Sequence, residues 1–126
     1  MELYGNRGLN GRKEFGQMSF FIVTMTHPDG NGWNKHLVAH VHYLQKLVED
    51  GILRASGPLQ GLPRRSGFLI MSAASLQEVE AAVSQDPFAL EGLIENLTIF
   101  EWDPLFGTFA AESSGEIAAL LAKAVP

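Results

Sequence analysis

The sequence predicts an α+β fold in which an antiparallel sheet carries two helices on one face, with an extra helix at the C-terminus. Three observations lead there. Four short runs rich in β-branched and aromatic residues are bounded by Gly, Pro and Asp. Two amphipathic stretches with helical spacing follow the first and third of these runs. The composition, 46% hydrophobic and 18% charged over 126 residues, is that of one globular core.

Residues 1–17 differ from the remainder. Glycines at 5, 8, 11 and 16 stand among mixed charges with no clean period, which predicts a flexible leader. Ser19–Thr26 is short and dense in Phe, Ile, Val and Thr, which predicts a buried strand. The run His27-Pro28-Asp29-Gly30-Asn31-Gly32 is loop chemistry. Residues 33–50 then predict a helix, with Leu37, Val41, Leu44 and Val48 as its apolar stripe, Leu47 beside it and Gly51 placed for a C-cap.

Ile52–Ser56 predicts a second strand closed by Gly57-Pro58, and Gln60–Ser66 a polar turn. Gly67–Ala73 predicts a third strand. Ser75 and Glu78 have the spacing of a capping box that opens a helix near 76–84. Asp86 followed by Pro87 suits the start of a short extra turn. Leu93–Trp102 alternates as a fourth strand, Asp103-Pro104 ends it, and Ser113 or Ser114 precedes an amphipathic helix at about 115–124. The chain thus divides into a leader (1–17), a folded domain (18–104) and a tail with a helix (105–126).

The order β-α-β-β-α-β is the split, ferredoxin-like arrangement. Its two helices leave the other sheet face in need of cover. A second copy packed sheet against sheet, hence a homodimer, is the expected solution, with the tail helix as a partial alternative.

Charge and cysteine content exclude several function classes. The formal net charge is -5, and the nine Lys and Arg residues do not cluster beyond Arg64-Arg65. Nucleic acid and anionic membrane surfaces are therefore not expected partners. The absence of cysteine removes disulfides, thiol nucleophiles and thiolate metal sites. No apolar run reaches the roughly 20 residues that span a bilayer, and no signal-peptide pattern precedes Met18. A soluble, cytoplasmic chain is the expectation. The glycine-rich stretches lack the frame of a phosphate loop, and Ser56-Gly57-Pro58 is no nucleophile elbow.

Of the histidines, His27 falls in a loop and His42 on the polar side of the first helix, both expected in solvent. His40 borders the apolar stripe. An imidazole there must be hydrogen-bonded or face a pocket, since an unpaired buried polar group costs on the order of 1–3 kcal/mol. It is either a satisfied structural residue or a group that moves protons, for which an unperturbed pKa of about 6.5 is suited. His36 and His40 have the i, i+4 spacing of two metal ligands, but no glutamate flanks His36, and no metal is expected. Asp86 is a helix cap, a carboxylate that orients an imidazole, or both.

The run His40-x3-Leu44-x2-Leu47-x3-Gly51-Ile52-Leu53-x3-Gly57-Pro58, then Gly67, then Asp86-Pro87-Phe88-x3-Gly92-Leu93, resembles the YciI-like (YCII-related) family over about Phe20 to Trp102. The resemblance implies a ferredoxin-like fold that dimerises as an α/β-barrel. It implies an active site on His40 and Asp86, with Ser56, Gly57 and Pro58 lining the pocket. Family members include a dehydrochlorinase of a ring metabolite, which implies proton-transfer chemistry. One position departs from the family pattern: many members carry arginine three residues before the histidine, where this chain has Leu37. His36, Trp33 and Lys35 stand nearest to replace it in substrate binding. The longer tail from Glu101 to Gly107 is expected to lie over a pocket.

The expected function is a cofactor-free enzyme of lyase or isomerase type, dehydrohalogenase-like, acting on a small cyclic or aromatic-derived metabolite. His40 serves as general base and acid, and Asp86 holds its other nitrogen. The alternative is a non-catalytic small-molecule binding or sensing module that uses the same pocket.

Overall fold

The computed structural model describes residues 18–124. The leader expected for residues 1–17 lies outside the described residues. The elements run β1 (Ser19–Thr26), α1 (Gly32–Glu49), β2 (Leu53–Pro58), β3 (Ser66–Ala73), α2 (Leu76–Ser84), α3 (Pro87–Leu90), β4 (Glu95–Trp102) and α4 (Glu116–Ala124). A single turn of 3-10 helix at Ala110–Glu112 precedes α4. The sheet order is β2-β3-β1-β4, with every neighbouring pair antiparallel. This is the ferredoxin-like topology expected from the element order.

Side chains alternate across β1. Phe21, Val23 and Met25 are buried beneath the helices, and Leu69, Met71, Ala73, Leu53, Leu47, Val79 and Val83 complete that core. Local chemistry sets the helix ends. Ser75 Oγ accepts from the Glu78 amide at 3.2 Å, while the Glu78 carboxylate takes the Ala74 amide at 3.2 Å. Gly51, at φ +80°, ends α1 in a Schellman motif: its amide reaches Val48 O at 3.0 Å and the Ile52 amide reaches Leu47 O at 2.9 Å.

Two strand boundaries differ from expectation by two residues, and the starts of β2 and β3 differ by one. β2 continues through Gly57 and Pro58 because it is an edge strand, where a proline without an amide hydrogen is tolerated. β4 begins at Glu95 rather than Leu93. The Leu93 amide is spent on Phe88 O at 2.8 Å, closing α3 behind Gly92 at φ +72°.

The apolar stripe of α1 also needs correction. Leu47 is buried and Tyr43 and Leu44 pack beside it, whereas Val41 and Val48 are exposed. The packed face is centred on positions 36, 40, 43 and 47, so His40 stands within it rather than at its border.

The expected α/β-barrel is not found. The sheet is open, with β2 and β4 as separate edges at opposite ends of the order and no hydrogen bonding between them. The segment from Glu101 to Gly107 does not line the pocket as expected; the tail beyond it covers part of the sheet face away from the helices. Phe109 packs on Phe20 and Trp102, with ring centroids 5.2 and 6.4 Å away. Arg54 lies over both Phe20 and Phe109 and makes a two-pronged ion pair with Glu112 at 2.6 and 2.9 Å.

Candidate active site

The helix–sheet–α3 junction brings His40 and Asp86 together across 46 residues of sequence. His40 Nδ1 is 2.8 Å from Asp86 Oδ1 and 2.9 Å from Oδ2. A carboxylate accepts, so Nδ1 carries the hydrogen, and Nε2 is the nitrogen left toward the cavity that His40 lines. The pair is well enclosed, with His40 15% and Asp86 5% exposed at the side chain. Asp86 serves α3 at the same time, since its Oδ1 accepts from the Phe88 amide at 2.9 Å. Its two expected roles are therefore compatible. Two oxygens offer about four acceptor positions, and the cap and the imidazole leave none stranded: among the described residues no buried side-chain oxygen or nitrogen lacks a partner.

Tyr43, one turn after His40, donates from its hydroxyl to Ala82 O at 2.6 Å and ties α1 to α2. Burial first, and then the negative charge of Asp86, hold this phenol above the ordinary tyrosine pKa.

A cleft of about 1000 Å³ opens in front of His40. Ser56, Gly57 and Pro58 of β2 line it, together with the β2–β3 loop, Trp33 and Leu37 of α1, and Phe88. The edge position of β2 is what leaves this trio free to form a wall. His36 does not line the cleft; its Nε2 is 3.6 Å from Glu91 Oε1. Among the described residues no three His, Asp or Glu side chains converge as metal ligands.

Two cleft residues, His27 and Arg65, escaped sequence reasoning as site components, while Trp33, expected near the substrate in place of the missing arginine, does line the cleft. His27 is not in solvent. It is 7% exposed, and its Nδ1–H donates to Leu93 O at 2.8 Å, so Nε2 is its free nitrogen. Its ring meets Phe88 edge-on at 5.1 Å. Trp33 shares the helix face of His40, a relation that the spacing 33, 37, 40, 44 contains. Arg65 lies over the Trp33 ring, 4.1 Å from its centroid, and no local pattern marks it.

Comparisons with known proteins fit this geometry. A family model described as the YCII-related domain matches residues 18–103. Among solved structures, the chain is similar to the 5-chloro-2-hydroxyhydroquinone dehydrochlorinase of Burkholderia phenoliruptrix AC1100, solved in complex with 2,5-dihydroxybenzoquinone. The identity is 27% and the TM-score 0.58, covering 66% of this chain and 92% of that one. No curated protein matches. Among the described residues no helix is long and apolar enough to cross a membrane.

Proposed function

The chain belongs to the YCII-related domain family, and from that premise we propose an enzyme of lyase or isomerase type that moves a proton on a small cyclic or aromatic-derived metabolite. The observation that carries the reading is the fixed imidazole. Asp86 holds Nδ1–H, which leaves His40 Nε2 as a base at the wall of an open cleft.

In the reaction, Nε2 takes a proton from an acidic ring C–H or O–H. The Asp86 carboxylate faces the positive charge that this creates on the imidazole. The electron pair left on the substrate moves into the ring. Nε2–H then returns the proton to a ring carbon, which completes an isomerisation. Where that carbon bears a leaving group such as chloride, Nε2 next takes a second hydroxyl proton, the freed electron pair forms a carbonyl and expels chloride as the ring becomes a quinone, and the imidazolium passes its proton to water. Ser56, Gly57 and Pro58 form the wall against which the ring is placed; His36, turned to Glu91, is left out. The likeness to a dehydrochlorinase supports the elimination branch.

The proposal includes a homodimer. Phe100 is 64% exposed and pairs across Ile22 on the sheet face away from the helices, an apolar surface the tail leaves uncovered. Sedimentation as a monomer at micromolar concentration would remove that part.

The test is chloride release from 5-chloro-2-hydroxyhydroquinone under anaerobic conditions. His40→Asn is expected to lose about 10²- to 10⁴-fold in turnover with an unchanged circular dichroism spectrum. Turnover at the wild-type rate in that variant sinks the assignment. Binding of 2,5-dihydroxybenzoquinone without any turnover of the chlorinated substrate would favour the non-catalytic binding module.

A further inference from the structure

We infer that the cleft selects planar cyclic anions and that Arg65, laid flat on Trp33, receives their charge. The inference rests on the proposed site but concerns a different part of it, the place where Arg65 meets Trp33 in the cleft lining.

The other arginines described are committed. Arg54 is paired with Glu112, and Arg64 Nη1 is 3.0 Å from Glu95 Oε1. Arg65 has no carboxylate partner among the described residues. Its guanidinium stands 4.1 Å from the centroid of Trp33, and both side chains line the cleft. Stacking orients the plane of a guanidinium while leaving its edge N–H groups to donate. The backbone is held as well, because the His27 amide donates to Arg65 O at 2.9 Å. The cation is thus exposed at the cleft mouth yet held at both ends.

Charge argues the same way. The chain is acidic overall, at -5, so an arginine left without a carboxylate inside the cleft is against the trend. The carboxylates bordering the cleft amount to Asp29, which makes no ion pair with Arg65, and Asp86, which is engaged with His40 behind the cleft wall. The ligand supplies the missing negative charge. Its shape follows from Trp33 and His40, whose partly exposed rings reach the cleft, with the buried Phe88 ring backing the imidazole. Its chemistry follows from the base: proton removal by His40 places negative charge in the ring, and a guanidinium lining the same cleft stabilises it. The class is therefore a ring bearing a carboxylate, an enolate or a vinylogous carboxylate.

The probes are 2,5-dihydroxybenzoquinone and its dimethyl ether. In the first, each hydroxyl is conjugated through the ring to a carbonyl, so it ionises as a vinylogous carboxylic acid at neutral pH. The ether has the same ring and no charge. Calorimetric titration of the full chain is expected to show the anion bound at least tenfold more tightly. Arg65→Met is expected to weaken the anion by roughly 10- to 100-fold, the range of charge-assisted hydrogen bonds, and to leave the ether unchanged. Arg65→Lys recovers part of the loss, and Arg64→Met has no such effect. Equal binding of the two probes, binding of neither, or an equal loss of both in Arg65→Met overturns the inference. His40→Asn separates it from the catalytic reading. If turnover is lost and the anion preference kept, both stand. If the preference disappears with the imidazole, the anion belongs to His40 and the inference fails. Normal turnover in His40→Asn would defeat the catalytic reading alone.

Discussion

The His40 imidazole and the Phe88 ring lie parallel, 7° between planes and 4.0 Å between centroids, while Asp86, two residues before Phe88, takes the imidazole hydrogen. One short segment, Asp86-Pro87-Phe88, therefore sets both the rotation and the tilt of the ring. Phe88 is 1% exposed, so its removal is also a core deletion.

Phe88→Ala is expected to lose about 3–5 kcal/mol of stability, the usual cost of emptying a buried phenylalanine site. Phe88→Leu retains most of the apolar volume but not the parallel face. It should lose turnover out of proportion to stability. Denaturant titration and steady-state rates on the same preparations check this, and a fall in rate that only tracks unfolding would contradict it.

The two duties of Asp86 separate in a pair of variants. Asp86→Asn keeps an oxygen for the Phe88 amide and loses the charge facing His40; Asp86→Ala loses both. The alanine variant is expected to be less stable than the asparagine variant by about 0.5–2 kcal/mol, the worth of a cap. Turnover should be depressed in both. Equal stabilities would show that the cap contributes nothing.

Tyr43 sets an alkaline limit. Its folded pKa is raised, by burial and then by Asp86, above the value of about 10 in the unfolded chain. The folded state therefore holds the phenolic proton more tightly. That contribution is complete below the unfolded value and disappears as pH rises through the folded one. Ultraviolet titration should show a late tyrosine that Tyr43→Phe deletes and Asp86→Asn moves down. A Tyr43 that ionises at the unfolded value would refute the assignment.

Glu112 sets an acid response of the tail. Hydrogen bonding to Arg54 lowers its pKa below the usual carboxylate value. Its contribution is present above the unfolded value and is lost as pH falls through the lower, folded one. In a Trp33→Phe background, the emission of Trp102, which contacts Phe109, should shift in that acid range as the tail loosens. Glu112→Gln should show the shifted emission at neutral pH. A pH-independent signal in the parent would mean that Phe109 holds the tail without the ion pair.

The sequence by itself determined the order of the elements and the chemistry of their ends. Strand and helix periods, the Ser75–Glu78 box and the Gly51 and Asp86 caps depend on residues within about five positions of each other, so a linear reading contains them. Family resemblance added the pairing of His40 with Asp86, which spacing alone left open. Only the tertiary structure decided which face of α1 is packed, because the sheet and α3 choose it, and this is why the stripe through Val41 and Val48 misled. The same holds for His27, whose carbonyl partner is 66 residues away, and for the tail, pinned by Arg54 and Glu112 across 58. It holds for the barrel too. Whether a sheet closes depends on which strands end as edges, and here β2 and β4 stay apart. Arg65 is the clearest case: in the chain it is one of two adjacent basic residues, and only the folded loop shows that Arg64 is taken by Glu95 while Arg65 is laid on Trp33 at the mouth of the cleft.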